Sequence, residues 1–218
     1  MARTIGIIGG HGKVALLLEP LLVEAGYEVR AYIRNPNQRA EVEATGAQAV
    51  IADIEALSTD DMAVLFEGLY AIVWSAGAGG GNPARTQAVD RDAAIRSIDA
   101  AKRAGVGRYV MVSYFGAGKD HGVSPDNPFF HYAEAKSAAD AYLEASGLEY
   151  TILRPSGLTL EPPSGSIGVE PAQLRSRAGT VSRANVARAI LHALDTPTTI
   201  RQVYAFNDGP TPIAEALR

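Results

Sequence analysis

Short apolar segments alternate with segments of helical spacing along almost the whole chain. The segment "TIGIIG" at 4–9 is a continuous apolar run, which is typical of a strand buried on both faces of a sheet. Residues 13–26 follow with helical spacing, in which Pro20 predicts a local kink and Gly26 predicts the end. Because strands that alternate with helices are joined by right-handed crossovers, this order predicts an α/β fold with a doubly wound parallel sheet in three layers.

The same pattern predicts the other elements of a single domain over residues 1–218. Loops rich in Gly and Pro are expected at 114–127 and 156–180, so a small C-terminal substrate region would be formed mainly by residues 114–130 and 156–180. The strands are predicted at 28–34, 48–53, 71–77, 108–113, 149–155 and 201–209, and the helices at 38–46, 58–68, 84–104, 129–147 and after Ser182.

The segment "GIIGGHGKVA" lies between the first strand and the first helix, and Gly9, Gly12 and Ala15 in it fit the pattern G-x-x-G-x-x-[GA]. Glycine at these places permits a tight turn and lets a pyrophosphate approach the backbone at the start of a helix. The segment therefore predicts a dinucleotide site, with a glycine turn of no function as the alternative. A mononucleotide phosphate loop does not fit, because Ile7 and Val14 stand where it needs Gly and Ser or Thr.

The second strand ends in Arg34, where an enzyme for NAD usually has a carboxylate. A guanidinium can bind a ribose 2′-phosphate, so this position favours NADP(H) over NAD(H), with Arg39 or Lys13 as possible helpers. An ordinary surface arginine is the alternative. Asp53, at the end of the third strand, could accept a hydrogen bond from adenine or could serve only in a turn.

The sequence "YAEAK" places Tyr132 and Lys136 four residues apart, on one face of a predicted helix. Ser113 ends the fifth strand, at the sheet edge where ligands of such folds bind. A lysine beside a phenol lowers the pKa of the phenol, which would make Tyr132 a proton donor or acceptor near neutral pH. Ser113 could then form a hydrogen bond with the substrate oxygen and orient it. Chance spacing on a helix is the alternative.

In these segments and their order the chain resembles the short-chain dehydrogenase/reductase superfamily, in its atypical, NmrA-like branch. The resemblance covers nearly the whole chain through "GIIGGHGKVA", "YIRNP", "IDAAKRAGVGRYVMVS", "YAEAK", "GLEYTILRPSGLT" and "VSRANVARAIL". It implies a Rossmann-type fold, catalytic roles for Ser113, Tyr132 and Lys136, and a nicotinamide flanked by Pro155 and Ser156. The cofactor residues it implies or the pattern predicts are Gly9, His11, Gly12, Lys13, Val14, Arg34, Asp53, Ile54, Ala76 and Gly77.

Composition excludes several other classes. The net charge of −4 gives no electrostatic footprint for nucleic acid or for an anionic membrane. The chain has no cysteine and only four scattered histidines, so neither a disulfide nor a metal site is expected. Asp90 and Asp92 are interpreted as solvated or loop-contacting residues, and Trp74 as either core or pocket wall. With no signal peptide or spanning segment visible, we expect a cytoplasmic protein, monomeric or homodimeric.

The favoured function is therefore an NADP-dependent oxidoreductase acting on a small carbonyl or alcohol. Two alternatives stay open from the sequence. One is a regulatory protein that senses NADP(H) without catalysis, and the other is an epimerase or isomerase that holds its nucleotide tightly. A pocket of carbonyl size that Tyr132 faces would favour an enzyme over a sensor.

Overall fold

A nine-stranded sheet forms the centre of the molecule in the computed structural model, which describes residues 2–79, 82–170 and 179–218. The strands are β1 Thr4–Ile8, β2 Glu28–Ile33, β3 Gln48–Ile51, β4 Ala71–Trp74, β5 Arg108–Val112, β6 Glu149–Pro155, β7 Gly157–Thr159, β8 Ser166–Glu170, β9 Thr180–Ser182, β10 Gln202–Asp208 and β11 Thr211–Pro212. Their order in the sheet is β11-β8-β10-β6-β5-β4-β1-β2-β3. Strand β8 pairs antiparallel with β10 and β11, the other pairs are parallel, and β7 and β9 form a separate parallel pair.

Helices cover both faces of this sheet. They are α1 Ala15–Glu24, α2 Arg39–Glu43, α3 Thr59–Phe66, α4 Pro83–Thr86, α5 Ala94–Arg103, α6 Phe130–Ala145, α7 Arg183–Asp195 and α8 Ile213–Ala216. One apolar core joins α1 and α7 to the sheet through Leu18 and Ile190, and a second joins α3, α5 and α6 to it through Phe66, Ile98 and Leu143. The predicted three-layer, doubly wound α/β fold is thereby confirmed.

Two predicted segments differ from the structure. The helix predicted over 84–104 is divided, because a π-helical segment at Gln87–Ala93 separates α4 from α5. The loop predicted over 156–180 contains β7, β8 and the start of β9, short strands whose pairing partners lie far along the chain. Residues 171–178 of that loop lie outside the described residues. Helix α1 continues through Pro20 to Glu24, and the kink expected at Pro20 stays a prediction.

The sheet order changes direction between β1 and β4, which are adjacent although two strands lie between them in sequence. In open α/β sheets this switch point leaves a crevice beyond the carboxyl ends of the strands, and ligands bind there. The glycine turn after β1 and the chain after β4 border it. Over the described parts of the chain, the helices are too short or too polar to cross a membrane.

Candidate active site

The glycine turn packs tightly against its neighbours while leaving one side open. Gly9 has a φ of +85°, and a Cβ there would lie 2.7 Å from the backbone of Ala76. A Cβ on Gly10 would lie 2.6 Å from the Cβ of Ala31 on β2. The Gly12 amide donates to the Gly9 carbonyl at 2.8 Å, and helix α1 begins at Ala15. The turn is therefore built on residues without side chains, because β2 and the chain after β4 come so close.

A cleft of about 380 Å³ lies beside this turn, and we name it the nucleotide cleft. It is bordered by the chain that follows each of the strands β1 to β4. Gly12 lines this cleft, and a Cβ there would already lie 3.1 Å from the Gly9 carbonyl oxygen, so the position is too crowded for a branched side chain and glycine keeps the backbone accessible to a ligand. The residues predicted to hold the cofactor that line this cleft are Gly9, His11, Gly12, Arg34, Asp53, Ile54, Ala76 and Gly77.

Two guanidinium groups share one carboxylate at the far end of the nucleotide cleft. Arg34 Nη1 lies 3.6 Å from Glu55 Oε2, and Arg85 Nε lies 3.5 Å from the same oxygen. Arg85 also donates to the carbonyl of Ala78 at 3.1 Å. Asp53 also lines this cleft, so its two guanidinium groups are matched by two carboxylates, and a phosphate would compete with Glu55 for Arg34 and Arg85. The sequence analysis did not find Arg85, which follows the glycine run after β4 and begins to line the cleft only in the folded chain.

The two predicted helpers of Arg34 lie elsewhere. Arg39 donates to Glu43 and to the carbonyl of Ala49, and it does not line the nucleotide cleft. Exposed Lys13 lines none of the clefts described here, so its contact with a cofactor stays a prediction. Asp53 accepts a hydrogen bond from the Glu55 amide at 3.2 Å, so it does serve in a turn, and its contact with adenine stays a prediction.

A second cleft, of about 800 Å³, continues from the nucleotide cleft, and we name it the reaction cleft. Ser75, Ala76 and Gly77 line both clefts. Ser113 and Tyr132 line the reaction cleft together with Val14. A third cleft of about 400 Å³, the aromatic cleft, shares Ser113 and Tyr132 and includes Pro155 and Ser156. The predicted serine and tyrosine are thus brought together at the junction of two cavities.

The hydroxyl of Ser113 is directed at a buried carboxylate. It donates to Asp140 Oδ2 at 2.8 Å, and Arg154 Nε donates to the same oxygen at 3.0 Å. While its hydrogen is directed at Asp140, the Ser113 oxygen can accept a hydrogen bond. The hydrogen bond predicted between Ser113 and a substrate oxygen stays a prediction. Burial raises the pKa of Asp140, although Arg154, Lys136 and Ser113 oppose this.

Lys136 is fully buried behind the clefts. Its Nζ donates to the Val112 carbonyl at 2.8 Å and lies 3.6 Å from Met111 Sδ. Burial lowers the pKa of Lys136, against the opposing charges of Asp140 and Asp90. Burial, followed by Asp90, Asp140 and Tyr114, raises the pKa of Tyr132 above its usual range. The expected lowering of this pKa by Lys136 is therefore wrong here, because the ammonium turns toward strand β5.

Ser156 provides an independent test of whether the site fits the nicotinamide end of a dinucleotide. Its amide donates to the Phe206 carbonyl at 3.1 Å, whereas its buried Oγ has no hydrogen-bond partner among the described residues. A buried hydroxyl without a partner is costly unless a ligand completes it. A carboxamide beside Pro155 and Ser156 would do so. Together with the open face of Gly12, this shows that the residues present fit a nicotinamide dinucleotide.

The structure settles the interpretation of three further residues that the sequence left open. Asp90, on the π-helical segment, is buried and accepts from the Ala78 amide at 3.0 Å, so it is loop-contacting and not solvated. Asp92 is partly exposed and pairs with Arg91 at 2.6 Å. Trp74 is fully buried in the core and lines none of the three clefts. No cluster of His, Asp and Glu among the described residues is arranged to hold a metal ion.

Comparison with known proteins assigns the site to a family. Residues 9–197 match a family of proteins described as NAD(P)H-binding. The chain belongs to this NAD(P)H-binding family. The match spans both the glycine turn and the segment with Ser113, Tyr132 and Lys136, so both halves of the site lie within it.

Several known proteins resemble the chain over nearly its full length. It is 37% identical over 215 residues to a Bacillus subtilis protein named an uncharacterized sugar epimerase, YhfK, with 97% of each chain covered. A solved structure from Bacillus halodurans, assigned only provisionally as an NAD-dependent epimerase/dehydratase, has a TM-score of 0.90 and 33% identity over 99% of both chains. The oxidoreductase ylbE from Lactococcus lactis has a TM-score of 0.85 and 28% identity, covering 99% of this chain and 95% of its own.

Proposed function

We propose that the protein is an NADPH-dependent reductase of a small carbonyl compound. The observation that carries this proposal is the continuity of the nucleotide and reaction clefts through Ser75, Ala76 and Gly77, with Tyr132 at the far end. A dinucleotide that lies along the nucleotide cleft can extend its nicotinamide through this junction toward Tyr132. When bound there, the nicotinamide would supply the hydride.

The choice of NADPH rests on the arginine pair. Arg34 and Arg85 both line the nucleotide cleft and share Glu55 at 3.6 and 3.5 Å, so either guanidinium could turn from this loose pair to a 2′-phosphate. NADH offers the two arginines no such group. Charge-assisted hydrogen bonds from a guanidinium to a phosphate are strong and often bidentate.

Tyr132 is the proton donor of this reduction because it lines both the reaction cleft and the aromatic cleft, where a carbonyl oxygen could meet it. Its phenol is protonated at neutral pH, since burial raises its pKa above the ordinary value of a tyrosine. Ser113, which donates to Asp140, can accept a hydrogen bond and so hold a hydroxyl in place beside it. Lys136 is buried and donates to the Val112 carbonyl, so its contact with the nicotinamide ribose stays a prediction.

The same clefts bear on the two alternative functions, an epimerase or isomerase and a sensor of NADP(H). The L. lactis relative is named an oxidoreductase and the B. subtilis relative a sugar epimerase, so the names of relatives do not choose between the two chemistries. A sensor would need no cavity next to Tyr132, whereas two cavities meet there. This favours an enzyme over a pure sensor of NADP(H).

The proposal is tested by incubating the protein with NADPH and a panel of aldehydes, ketones and quinones, following absorbance at the NADPH band. We expect substrate-dependent loss of NADPH in the wild type. Gly12→Val serves as the matched control, since its side chain would stand in the nucleotide cleft and turnover should disappear. Tight NADPH binding without turnover on any carbonyl would contradict the proposal and favour the sensor.

A further inference from the structure

Three aromatic rings form one wall of the aromatic cleft. The ring of Tyr114 lies 5.1 Å from that of Phe129 and 5.6 Å from that of Tyr132, measured between centroids. Phe129 and Tyr132 are also 5.1 Å apart. Tyr114 follows strand β5, and Phe129 and Tyr132 lie at the start of helix α6. Because this strand and this helix pack in the core, they hold the three rings in place. The rings therefore form a preassembled surface on which a flat ring can stack or pack edge to face.

The rest of the cleft lining is apolar or neutral. Pro155, Gly157 and Leu158 complete it, and its polar side-chain groups are the hydroxyls of serine and tyrosine. Among the described residues, none of those lining this cleft or the neighbouring reaction cleft is a Lys, Arg, Asp or Glu. The reaction cleft adds one histidine and uncharged polar side chains, namely Ser75, Asn82, Thr86 and Asn127. A phosphate or carboxylate bound here would lose its water without gaining an opposite charge, which is costly.

The charged groups closest to this lining are engaged behind it. Lys136 donates to the Val112 carbonyl, and Arg154 is paired with Asp140 and with Glu144. Each is held by partners inside the protein, so these cations are not presented to the cleft. A sugar, with a hydroxyl on nearly every carbon, would also leave most of its hydrogen bonds unmade on such a wall.

We propose that the substrate is an uncharged, flat aromatic carbonyl compound of one or two rings, such as an aromatic aldehyde or a quinone. This inference rests on the proposed reductase function and names its substrate class. With the nicotinamide beside Pro155 and Ser156, the ring would lie against Phe129 and Tyr114, and its carbonyl oxygen would face the Tyr132 hydroxyl. A volume of about 400 Å³ is within the range of sites for small ligands.

The reaction balances with the reductant already proposed. For an aldehyde, the carbonyl carbon gains a hydride from the dihydronicotinamide of NADPH while the C=O π bond breaks. The oxygen takes the proton of the Tyr132 phenol, whose O–H bond breaks, and solvent returns a proton to Tyr132. The products are the alcohol and NADP⁺.

Matched pairs of compounds test the substrate class. Benzaldehyde is compared with cyclohexanecarboxaldehyde, and 1,4-naphthoquinone with 1,4-naphthoquinone-2-sulfonate, by kcat/KM with NADPH. We expect the aromatic aldehyde to exceed the saturated one by about 10-fold, and the neutral quinone to exceed its sulfonate by about 10-fold or more. Turnover that favours the sulfonate or an aldose phosphate would overturn the substrate class while leaving the reductase function standing.

A binding measurement separates this inference from the proposed function, because it needs no turnover. Binding of 2-naphthol, which is not reduced, is measured by calorimetry and compared with that of naphthalene-2-sulfonate. We expect the neutral compound to bind, and Phe129→Leu to weaken it severalfold. Phe130→Leu is the matched control, since Phe130 contacts His121 and His131 and lies outside the aromatic cleft.

A second variant keeps the test decisive if Phe129→Leu does not fold. Leu158 is partly exposed on β7, so Leu158→Asp should be tolerated by the fold and should place a charge in the cleft. We expect it to abolish 2-naphthol binding to the protein without cofactor, while its circular dichroism stays that of the wild type. Equal binding of 2-naphthol to the wild type and to both folded variants would overturn the inference, whether or not any carbonyl is reduced.

Discussion

Glu19 offers a stability prediction whose size follows directly from the structure. This carboxylate lies on α1, the helix that begins at the glycine turn, and it is fully buried. Thr45 donates to its Oε2 at 2.9 Å, whereas its Oε1 has no partner among the described residues. Burial raises the pKa of Glu19 from 4.5 to about 7, and the bond from Thr45 opposes this only partly.

The direction of the pH dependence follows from this raised pKa. Between pH 4.5 and 7 the folded chain keeps the Glu19 proton that the unfolded chain has released, so the free energy of unfolding falls as pH rises through this range. One pKa unit corresponds to about 1.4 kcal/mol, so the full loss is about 3 kcal/mol. Glu19→Gln removes the charge and keeps an acceptor for Thr45, so the variant should not show this loss.

The assay is urea unfolding, followed by circular dichroism, of the wild type and Glu19→Gln at pH 4 and at pH 8. We expect the stability of the variant relative to the wild type to increase by about 3 kcal/mol between the two pH values. Glu24→Gln is the matched control, because Glu24 is exposed on the same helix. A difference between Glu19→Gln and the wild type that does not change with pH would refute the reasoning.

Three further predictions concern the site. Gly12→Val should fold with normal circular dichroism but lose NADPH binding in calorimetry, and normal binding would reduce the glycine turn to a structural role. Arg34→Asp should weaken NADPH binding by roughly 1.5–3 kcal/mol and NADH binding far less; titration of both cofactors by fluorescence checks this, and an unchanged preference would remove Arg34 from the site. Asp140→Asn breaks a buried ion pair with Arg154 and should cost about 3 kcal/mol of unfolding free energy, whereas Glu144→Gln, at the more exposed partner of Arg154, should cost little.

The parallel core of the fold was predictable because its signals are local. Buried strands such as β1 are continuous apolar runs, and each helix shows its own spacing, so the α/β order can be read segment by segment. Strand β8 has no such signal. It forms because Gly168 and Gly209 come close enough for a Cβ on Gly209 to lie 2.3 Å from the Gly168 amide, a contact between distant segments.

The candidate site was predictable where one motif carries it and was missed where distant residues meet. Tyr132 and Lys136 were found from their spacing of four, and Asp140 continues the same helical face. It was missed because a carboxylate four residues after a lysine is typical of a solvated ion pair. Only the folded chain places Arg154 and Ser113 beside the Asp140 carboxylate. The carboxylate therefore points inward and accepts the hydrogen of the serine hydroxyl.

The central claim, that Tyr132 donates the proton in an NADPH-dependent reduction, is tested most directly by Tyr132→Phe. This change removes one oxygen at the junction of the reaction and aromatic clefts and leaves the nucleotide cleft intact. NADPH affinity, measured by fluorescence, should stay nearly unchanged, while kcat/KM for the carbonyl substrate should fall by about 10²–10⁴-fold. Tyr142→Phe, on the exposed side of the same helix, should behave as the wild type. Full turnover by Tyr132→Phe would contradict the claim.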